Sequence, residues 1–278
     1  MIIEFTKMHG LGNDFVVIDA LTQQIDLTKE QIIAMADRHF GIGCDQLLLV
    51  EKPTSTQAEF RYRIFNADGG EVEQCGNGAR CFALFVRQQG LTKTTEIMVE
   101  TASGLIELKV KGEQVTVNMG VPDFEPANLP FLAEKAAESY DLMVNGTEYA
   151  IGAVSMGNPH AVMQVDDLDA IDIERLGSAI ESHELFPNRV NAGFMQIINR
   201  QEIRLRVYER GVGETQACGT GACAAVAVGR QAGLLDETVI VHLSGGKLSI
   251  QWPGEGCELL MTGPASSVFD GKINIDKL

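Results

Sequence analysis

Basic side chains are scarce in this sequence, and their scarcity limits the partners that the protein can bind. The chain carries 22 Lys and Arg against 38 Asp and Glu, which gives a formal net charge of −16 at pH 7. A nucleic-acid backbone or an anionic membrane surface is bound by a basic face, which this composition does not favour. We therefore expect no nucleic-acid partner and no membrane partner, and we expect a small-molecule ligand instead.

Long apolar runs are also missing. No window holds the roughly 18 consecutive apolar residues that a membrane-spanning helix needs. The first residues, MIIEFTKMHGLGNDF, lack the basic segment and the apolar core of a secretory signal peptide. With 45% hydrophobic residues, the chain still has enough apolar side chains to bury two cores. These features predict a folded, cytoplasmic protein.

The cysteines lack the pattern of a disulfide framework or of a zinc module. Six of them are spread over 278 residues, whereas disulfide frameworks are dense in short secreted chains. Neither Cys75 with Cys81 nor Cys218 with Cys223 has the Cys-x2-Cys spacing from which many zinc modules are built. We expect reduced thiols and no metal.

What the sequence does have is an internal repeat. Segment 208–233, YERGVGETQACGTGACAAVAVGRQAG, aligns without a gap on segment 65–90, FNADGGEVEQCGNGARCFALFVRQQG, at an offset of 143 residues (218 − 75). A repeat of this length indicates duplication of a whole domain. We predict two similar domains, 1–118 and 119–263, with the tail 264–278 as a candidate to pack on the first.

Each half of the repeat predicts a sheet around one enclosed helix. Segment 78–89 is apolar on nearly every face, and a helix without a polar face has to be surrounded by protein. Strand patterns precede it at 60–66 and follow it at 95–101, 104–110 and 113–118. We therefore predict an α/β fold of the α+β type, with a mostly antiparallel sheet wrapped around a central helix in each half. The active site is expected in the cleft between the halves.

Outside the repeat, turn and capping residues predict further elements. A helix is expected to begin after the N-cap residue Thr28 and to end at Gly41. The proline-rich and acidic segment 121–130 is the best candidate for a linker. The acidic segment 167–183 is interpreted as an amphipathic helix with a solvated face.

Several polar residues lie at turns or strand ends in both halves. We expect Asn13 on the loop MHGLGN, Gln46 at the mouth of a buried strand and Asn66 at the end of strand 60–66. The second half repeats this order. Asn158 and Asn191 follow Asn13 and Gln46 by 145 residues (158 − 13 and 191 − 46), and an alternating strand delivers Glu209 and Arg210.

Cys75 and Cys218 differ from the other four cysteines because each starts a helix through Gly-x-Gly. The free N–H groups and the positive end of a helix dipole stabilise a thiolate and bind an anion there. Two such thiols in a duplicated fold suit a reaction that removes a proton from one face of a carbon and adds one to the other. The N–H groups of Gly76–Asn77 and Gly219–Thr220 can stabilise the carboxylate beside the carbanion, so no pyridoxal cofactor is needed.

Eight short motifs in order resemble the diaminopimelate epimerase family. They are GLGNDF (10–15), GCDQ (43–46), FNADG (65–69), CGNGARC (75–81), GNPH (157–160), RVNAGF (189–194), YERG (208–211) and ACGTGACA (217–224). The resemblance implies a pyridoxal-independent two-base epimerase that interconverts LL- and meso-2,6-diaminopimelate in lysine and peptidoglycan-precursor synthesis. It also implies two like domains and a homodimer.

By the same resemblance, Cys75 and Cys218 are the acid–base pair, supported by His160 and Glu209. The substrate's amino and carboxylate groups are expected to contact a set of polar side chains and two backbone segments. The set comprises Asn13, Gln46, Asn66, Asn158, Asn191, Glu209 and Arg210, with the backbone of Gly76, Asn77, Gly219 and Thr220 around the reacting carboxylate.

Two alternatives remain open at this point. A related two-thiol racemase acting on proline or hydroxyproline would use a similar fold, but its small substrate would leave Arg210 without a distal group to hold. A thiol redox sensor would use Cys75 and Cys218 as a switch, which leaves the polar loops unexplained.

Overall fold

The structure, a computed structural model, describes residues 1–72, 75–133 and 135–278 and contains two compact units. The first unit consists of Met1–Val117 together with Thr262–Leu278, and the second consists of Asn118–Met261. Among the described residues, no helix has both the length and the apolar character that crossing a bilayer requires.

The first unit begins with strands and helices that follow one another closely along the chain. In order they are β1 (Ile2–Gly10), β2 (Asn13–Asp19), α1 (Lys29–Ala36), β3 (Gln46–Glu51), β4 (Phe60–Asn66), β5 (Glu71–Val72), α2 (Gly76–Gln88), β6 (Glu96–Thr101), β7 (Gly104–Lys111) and β8 (Gln114–Asn118).

The second unit repeats this order after a short 3-10 turn at Pro126–Asn128. Its elements are β9 (Tyr140–Val144), β10 (Thr147–Ser155), β11 (Pro159–Gln164), α3 (Ile173–Glu181), β12 (Asn191–Asn199), β13 (Glu202–Glu209), β14 (Gly213–Thr215), α4 (Gly219–Gln231), β15 (Thr238–Leu243) and β16 (Gly246–Gln251). Strands β17 (Leu260–Pro264) and β18 (Ser266–Asn274) then return the chain to the first unit, where β18 pairs antiparallel with β1.

Strand pairing shows the duplication directly. In the first unit β2 runs parallel to β3 and β4 parallel to β6, whereas β3–β4 and β6–β7 are antiparallel. In the second unit β11 runs parallel to β12 and β13 parallel to β15, whereas β12–β13 and β15–β16 are antiparallel. The predicted fold, two duplicated and mostly antiparallel units of the mixed α/β class, is confirmed, and the strand pairings of the described residues include two parallel ones in each unit.

The central helices are enclosed, as their apolar sequences predict. Helix α2 is buried from Gly76 to Val86, and Phe82 packs edge-on against Tyr62 with ring centroids 5.3 Å apart. A Cβ atom on Gly78 would lie 2.7 Å from the Tyr62 hydroxyl, so the helix approaches the sheet more closely than a side chain would allow. The equivalent glycine of α4, Gly221, lies equally close to the sheet, because a Cβ there would be 2.9 Å from Val207. Both helices thus depend on a glycine in the first turn.

Two local expectations were wrong. Asn13 is the first residue of β2 rather than a loop residue, because Leu11 and Gly12 alone make the turn with φ values of 58° and 91°. Helix α1 ends at Ala36, before Gly41, because Asp37 adopts an extended ψ of 126° and its carboxylate accepts the N–H groups of residues 39 and 40. Thr28 does cap the helix, in a capping box with Gln31.

The two acidic segments also differ from expectation. Segment 121–130 is ordered within the second unit, since Asp123 pairs with Ser155 as an isolated bridge and Pro126 begins the 3-10 turn. The helix in segment 167–183 is α3, and its last residue, Glu181, is buried rather than solvated.

Candidate active site

In the first unit, Cys75 is the N-cap residue of α2. Its backbone is extended, with φ −142° and ψ 120°, and its carbonyl accepts a hydrogen bond from the Tyr62 hydroxyl at 3.3 Å. The thiol is half-buried and donates to the side-chain oxygen of Asn13, with Sγ and Oδ1 3.7 Å apart. The first turn of an α-helix directs its N–H groups outward and carries the positive end of the dipole. This end of α2 therefore combines a thiol with an anion-binding environment.

Asn13 links the thiol to a network of charged side chains. Its Oδ1 also accepts from the Asn77 amide at 3.2 Å, and its own amide donates to Asp45 at 2.9 Å. Asp45 is bound by Arg38 at 2.7 Å, and the same guanidinium forms a bidentate pair with Asp14. Although burial opposes it, hydrogen bonds from Arg38 and Lys7 hold the pKa of Asp14 well below its usual range. The ionised network therefore holds the amide nitrogen of Asn13, which is the end of the side chain that does not contact the thiol.

Gln46 and Asn66 lie side by side at the ends of β3 and β4. The two residues are direct partners in the antiparallel register, and the Gln46 amide donates to Asn66 Oδ1 at 2.8 Å. The side-chain oxygen of Gln46, Oε1, is buried and accepts no hydrogen bond within the described part of the chain. A buried acceptor of this kind is costly unless a ligand donates to it. An ammonium group is a ligand that can do so.

In the second unit, Cys218 is the N-cap residue of α4 and is 4% exposed. Its sulfur accepts the Gly221 N–H at 3.3 Å and lies 3.6 Å from the Thr220 hydroxyl. Burial raises the pKa of the Cys218 thiol well above its usual value, and the nearby charge of Glu209 adds to the effect, whereas the Thr220 and Gly221 hydrogen bonds oppose it. Glu209 is itself held by a hydrogen bond from the Thr215 hydroxyl.

His160 is buried beside this second thiol site and is uncharged at neutral pH. Burial, helped by the positive charge of Arg210, lowers the pKa of His160 to about 3. Its Nε2 lies 3.1 Å from Asn158 Oδ1, and the Asn158 amide donates to Thr220 Oγ1 at 3.3 Å. Because an amide oxygen only accepts, Nε2 carries the imidazole proton. His160 therefore fixes the direction of the Asn158 amide rather than supplying a cation.

The side chain of Asn191, at the start of β12, holds the backbone of Arg210, which follows β13. The Asn191 side chain is buried, donates to the Pro159 carbonyl at 2.9 Å and accepts the Arg210 N–H at 2.9 Å. The following residue, Gly211, donates its N–H to buried Glu181 at 2.9 Å. The Arg210 side chain is exposed and donates to the Asn188 carbonyl at 3.3 Å. The hydrogen bonds to Asn191 and Glu181 fix the backbone from which the exposed Arg210 guanidinium projects.

The sequence comparisons now decide the family. The sequence model of the family described as diaminopimelate epimerase matches residues 5–125 and 152–268. A diaminopimelate epimerase of Thioalkalivibrio sulfidiphilus is 62% identical over 278 residues, which cover 99% of this chain and 100% of that protein. One of Teredinibacter turnerae is 59% identical over 276 residues, with coverage of 99% and 100%. The chain belongs to the diaminopimelate epimerase family.

Solved structures show the same fold in more distant proteins. A hydroxyproline epimerase from Agrobacterium vitis superposes with a TM-score of 0.72 at 15% identity, covering 98% of this chain and 92% of that chain. A phenazine biosynthesis protein of the PhzF family from Bacillus anthracis gives a TM-score of 0.69 at 18% identity and covers 99% of both chains. At these identities the likeness concerns the fold alone. Membership of the diaminopimelate epimerase family confirms the resemblance and the enzyme class, an epimerase, and favours neither alternative.

The site residues expected from the sequence form small hydrogen-bonded groups within each unit. The first unit brings Asn13 and Asn77 to Cys75 and pairs Gln46 with Asn66, and Gly76 begins α2. In the second unit, Cys218, Thr220, Asn158 and His160 are connected by hydrogen bonds or close contacts, Gly219 begins α4, and Asn191 contacts Arg210.

Sequence reasoning missed the residues that hold these clusters in place. They are Asp45 and Arg38 beside Asn13, Arg80 in α2 and Glu181 beside Gly211. Arg80 did leave a signal, because a charged residue directly precedes the apolar run Cys81–Val86.

Proposed function

We propose that this protein is a pyridoxal-independent epimerase that interconverts LL- and meso-2,6-diaminopimelate, with Cys75 and Cys218 as its acid and base. The observation that carries the proposal is the position of the two cysteines. Each is the N-cap residue of the buried central helix of its unit, in a chain that belongs to the diaminopimelate epimerase family. A thiol at a helix N-terminus is placed to become a thiolate, because the dipole and N–H groups favour the anion.

The reaction needs one thiolate and one thiol at a time. In the proposed step, the thiolate of one cysteine removes the α-proton, so that the C–H bond breaks, an S–H bond forms and the electron pair stays on carbon. The other thiol then donates its proton to the opposite face of that carbon and becomes a thiolate. With the opposite isomer the two residues exchange roles, as microscopic reversibility requires.

Charge that develops on the α-carbon spreads into the adjoining carboxylate. The first turns of α2 and α4, at Gly76–Asn77 and Gly219–Thr220, provide N–H groups and dipole ends that favour an anion there. Such groups lower the barrier only as far as they bind the transition state better than the substrate. They supply what an electron-withdrawing cofactor would otherwise provide, and no cofactor is included in the proposal.

The remaining polar residues are proposed to hold the substrate's other charged groups. The buried free oxygen of Gln46 suits an ammonium group, with Asn66 beside it. Arg210 presents an exposed guanidinium, which matches a carboxylate as a two-pronged donor. We propose substrate contacts for Asn13, Asn158 and Glu209 as well, and for Asn191 a role through the backbone of Arg210.

Glu209 and His160 are proposed to adjust the acidity of Cys218. Burial and the negative charge of Glu209 favour the protonated thiol in the free protein. A bound ammonium group near Glu209 would offset that charge, so that the thiolate forms once substrate is present. His160 contributes as a neutral hydrogen-bond donor that directs Asn158.

We also propose that the protein is a cytoplasmic homodimer. The six cysteines are thiols rather than disulfide partners, which is compatible with a reducing compartment. On β18, the neighbouring residues Val268 and Phe269 are 57% and 50% exposed, and a second copy of the chain could cover apolar side chains of this kind. Sedimentation equilibrium of the purified protein measures the mass in solution, and a monomer at micromolar concentration would exclude the dimer.

The proposed activity is tested by incubating the protein under reducing conditions with LL-diaminopimelate and resolving the stereoisomers. Meso isomer should accumulate until equilibrium is reached. Cys75→Ala and Cys218→Ala should each abolish most of the conversion, whereas Cys257→Ala, which removes an exposed cysteine, should not. Parallel incubations with L-proline and trans-4-hydroxy-L-proline test the racemase alternative. Turnover of either in place of diaminopimelate would overturn the proposal.

A further inference from the structure

Arg80 is a charged side chain in the interior of the first unit. It lies one turn into α2, is 0% exposed, and is followed along the helix by the apolar run Cys81–Val86. Burying a guanidinium is costly unless the surrounding groups accept its hydrogen bonds. The fold itself does not require this residue, because the equivalent position of α4, at 80 + 143 = 223, is a small buried cysteine. The first unit therefore has a charge where the second unit is filled by a small side chain.

The guanidinium of Arg80 is spread over acceptors at the start of α2. It donates to Asn77 Oδ1 at 2.9 Å, to the Gly76 carbonyl at 3.4 Å and to the Pro264 carbonyl at 3.2 Å. A Cβ on Gly10 would lie 3.2 Å from the same guanidinium, so the neighbouring hairpin is packed tightly against it. Arg80 thus ties the first turn of α2, including a proposed substrate contact, to the surrounding strands.

A chain of hydrogen bonds runs from Arg80 past the thiol to Asp45. Asn77 accepts from Arg80 and donates to Asn13, and Asn13 donates to Asp45. A guanidinium can only donate and a carboxylate can only accept, so both amides between them have a defined direction. Asn13 must therefore present its oxygen toward α2, and Cys75 donates to that oxygen.

We infer that Arg80 is a positioning residue whose buried guanidinium, acting through Asn77, holds the side-chain oxygen of Asn13 toward the sulfur of Cys75. Asp45 closes the chain at its other end. An oxygen acceptor beside the sulfur favours the thiol, which donates, over the thiolate, which would be repelled. The observed direction of the Asn13 amide therefore favours a thiol, rather than a thiolate, at Cys75.

The second unit shows that the opposite direction is compatible with this fold. There Asn158 directs its amide nitrogen toward Thr220 and its oxygen toward His160, and the sulfur of Cys218 accepts an N–H from Gly221. In α4, Cys223 stands at the position of Arg80 and Thr220 at the position of Asn77. The two thiols thus have different hydrogen-bond surroundings, and Arg80 accounts for the surroundings of Cys75.

The test measures the reactivity of Cys75 without requiring turnover. This inference rests on the proposed acid–base role of Cys75, but alkylation separates the two, because loss of the proposed function would appear as no conversion by the unmodified protein. Iodoacetamide alkylation of Cys75 and of Cys218 is followed by peptide mapping across pH 6–10. The variants are Arg80→Met, Asp45→Asn and the two combined, with Arg87→Met as a control on the same helix.

Arg80 alone or Asp45 alone still favours the observed orientation of the Asn77 and Asn13 amides. Each single variant should therefore change Cys75 alkylation at pH 7 by less than about twofold. The double variant frees Asn13 to turn its N–H toward the sulfur, and Cys75 should then react about three to ten times faster than in the unmodified protein. The double variant removes one positive and one negative charge, so a purely electrostatic role for Arg80 predicts a near-cancelled effect. Cys218 should be unaffected in every variant.

A double variant that alkylates no faster than the faster single variant would overturn the inference, as would a slower reaction. If Arg80→Met does not give folded protein, Asn77→Ala combined with Asp45→Asn breaks the same chain and keeps the buried guanidinium, which loses its Asn77 acceptor but still donates to the Gly76 and Pro264 carbonyls. In that variant, too, Cys75 should react about three to ten times faster than in the unmodified protein, and a reaction no faster than in the single variants would overturn the inference. Arg87→Met should match the unmodified protein at both cysteines.

Discussion

Asn13 and Asn158 present opposite ends of their side-chain amides to the cysteine-bearing helix of their own unit. The Asn13 oxygen accepts from Asn77 and from the Cys75 thiol, whereas the Asn158 nitrogen donates to Thr220 beside Cys218. Duplication has therefore preserved the position of the amide and reversed its polarity. In the proposed mechanism each thiol serves a different face of the α-carbon, so the two thiols need not have the same surroundings.

Arg210→Lys should weaken substrate binding. A lysine keeps the positive charge but cannot reproduce the two parallel hydrogen bonds that a guanidinium makes with a carboxylate. We expect KM for diaminopimelate to rise about tenfold, which corresponds to about 1.4 kcal/mol, with a smaller change in kcat. Arg204→Lys, on the same stretch of chain but paired with Asp169, is the matched control and should leave KM unchanged. An unchanged KM for Arg210→Lys would remove this residue from the substrate site.

His160→Gln should change how the stability of the protein depends on pH. Burial lowers the pKa of His160 from 6.5 to about 3, so between these values the unfolded chain binds a proton that the folded protein does not. The wild type therefore loses stability from this residue as the pH falls below 6.5, by about 2 kcal/mol at pH 5. In His160→Gln that contribution disappears, so the difference between urea unfolding at pH 7.5 and at pH 5 should shrink.

The matched control is His39→Gln, which removes an exposed imidazole and should leave the wild-type difference intact. If His160→Gln retained the full loss of stability between pH 7.5 and pH 5, the buried neutral imidazole would not be its source.

Gly221→Ala should damage the second thiol site. The added methyl group would lie 2.9 Å from Val207 and 3.2 Å from the Cys218 sulfur, so either the helix or the sulfur has to move. We expect a loss of about 1–3 kcal/mol in the free energy of unfolding, together with a fall in kcat. Gly193→Ala is the control in the same unit, because its methyl group would meet no atom closer than 3.7 Å. Full activity and stability in Gly221→Ala would show that neither depends on the close approach of α4 to the sheet at Val207.

The sequence predicted the enclosed helices and the cysteine positions because both depend on local patterns. The all-apolar stretch after Cys75 and the repeat of Cys-Gly-x-Gly were sufficient to place α2 and α4 and their N-cap residues. The loop MHGLGN was predicted too long, because a non-glycine residue at positive φ, here Leu11, leaves no mark in the sequence. Helix α1 was drawn too long for a similar reason, since Asp37 ends it through side-chain contacts with the following backbone.

The partners of the polar residues could not be predicted in this way. That Asn13 contacts Asp45, or that Asn191 holds the backbone of Arg210, depends on residues brought together by the sheet from distant parts of the sequence. Glu181 was interpreted as part of a solvated face because its helix is acidic, and only packing shows that it is buried. The orientation of a side-chain amide depends on the groups at both of its ends. The spacing of residues along the sequence does not show which groups those are.

The most direct test of the two-base account follows the origin of the proton in the product. LL-diaminopimelate is incubated in deuterated water, and both isomers are recovered at low conversion and analysed by mass spectrometry. If Cys75 and Cys218 each serve one face, the delivered proton comes from a thiol that has exchanged with solvent. The meso product should then carry deuterium at the inverted carbon, while the recovered LL substrate stays largely protiated. Substantial protium in the early meso product, or rapid deuteration of the LL substrate, would contradict the account.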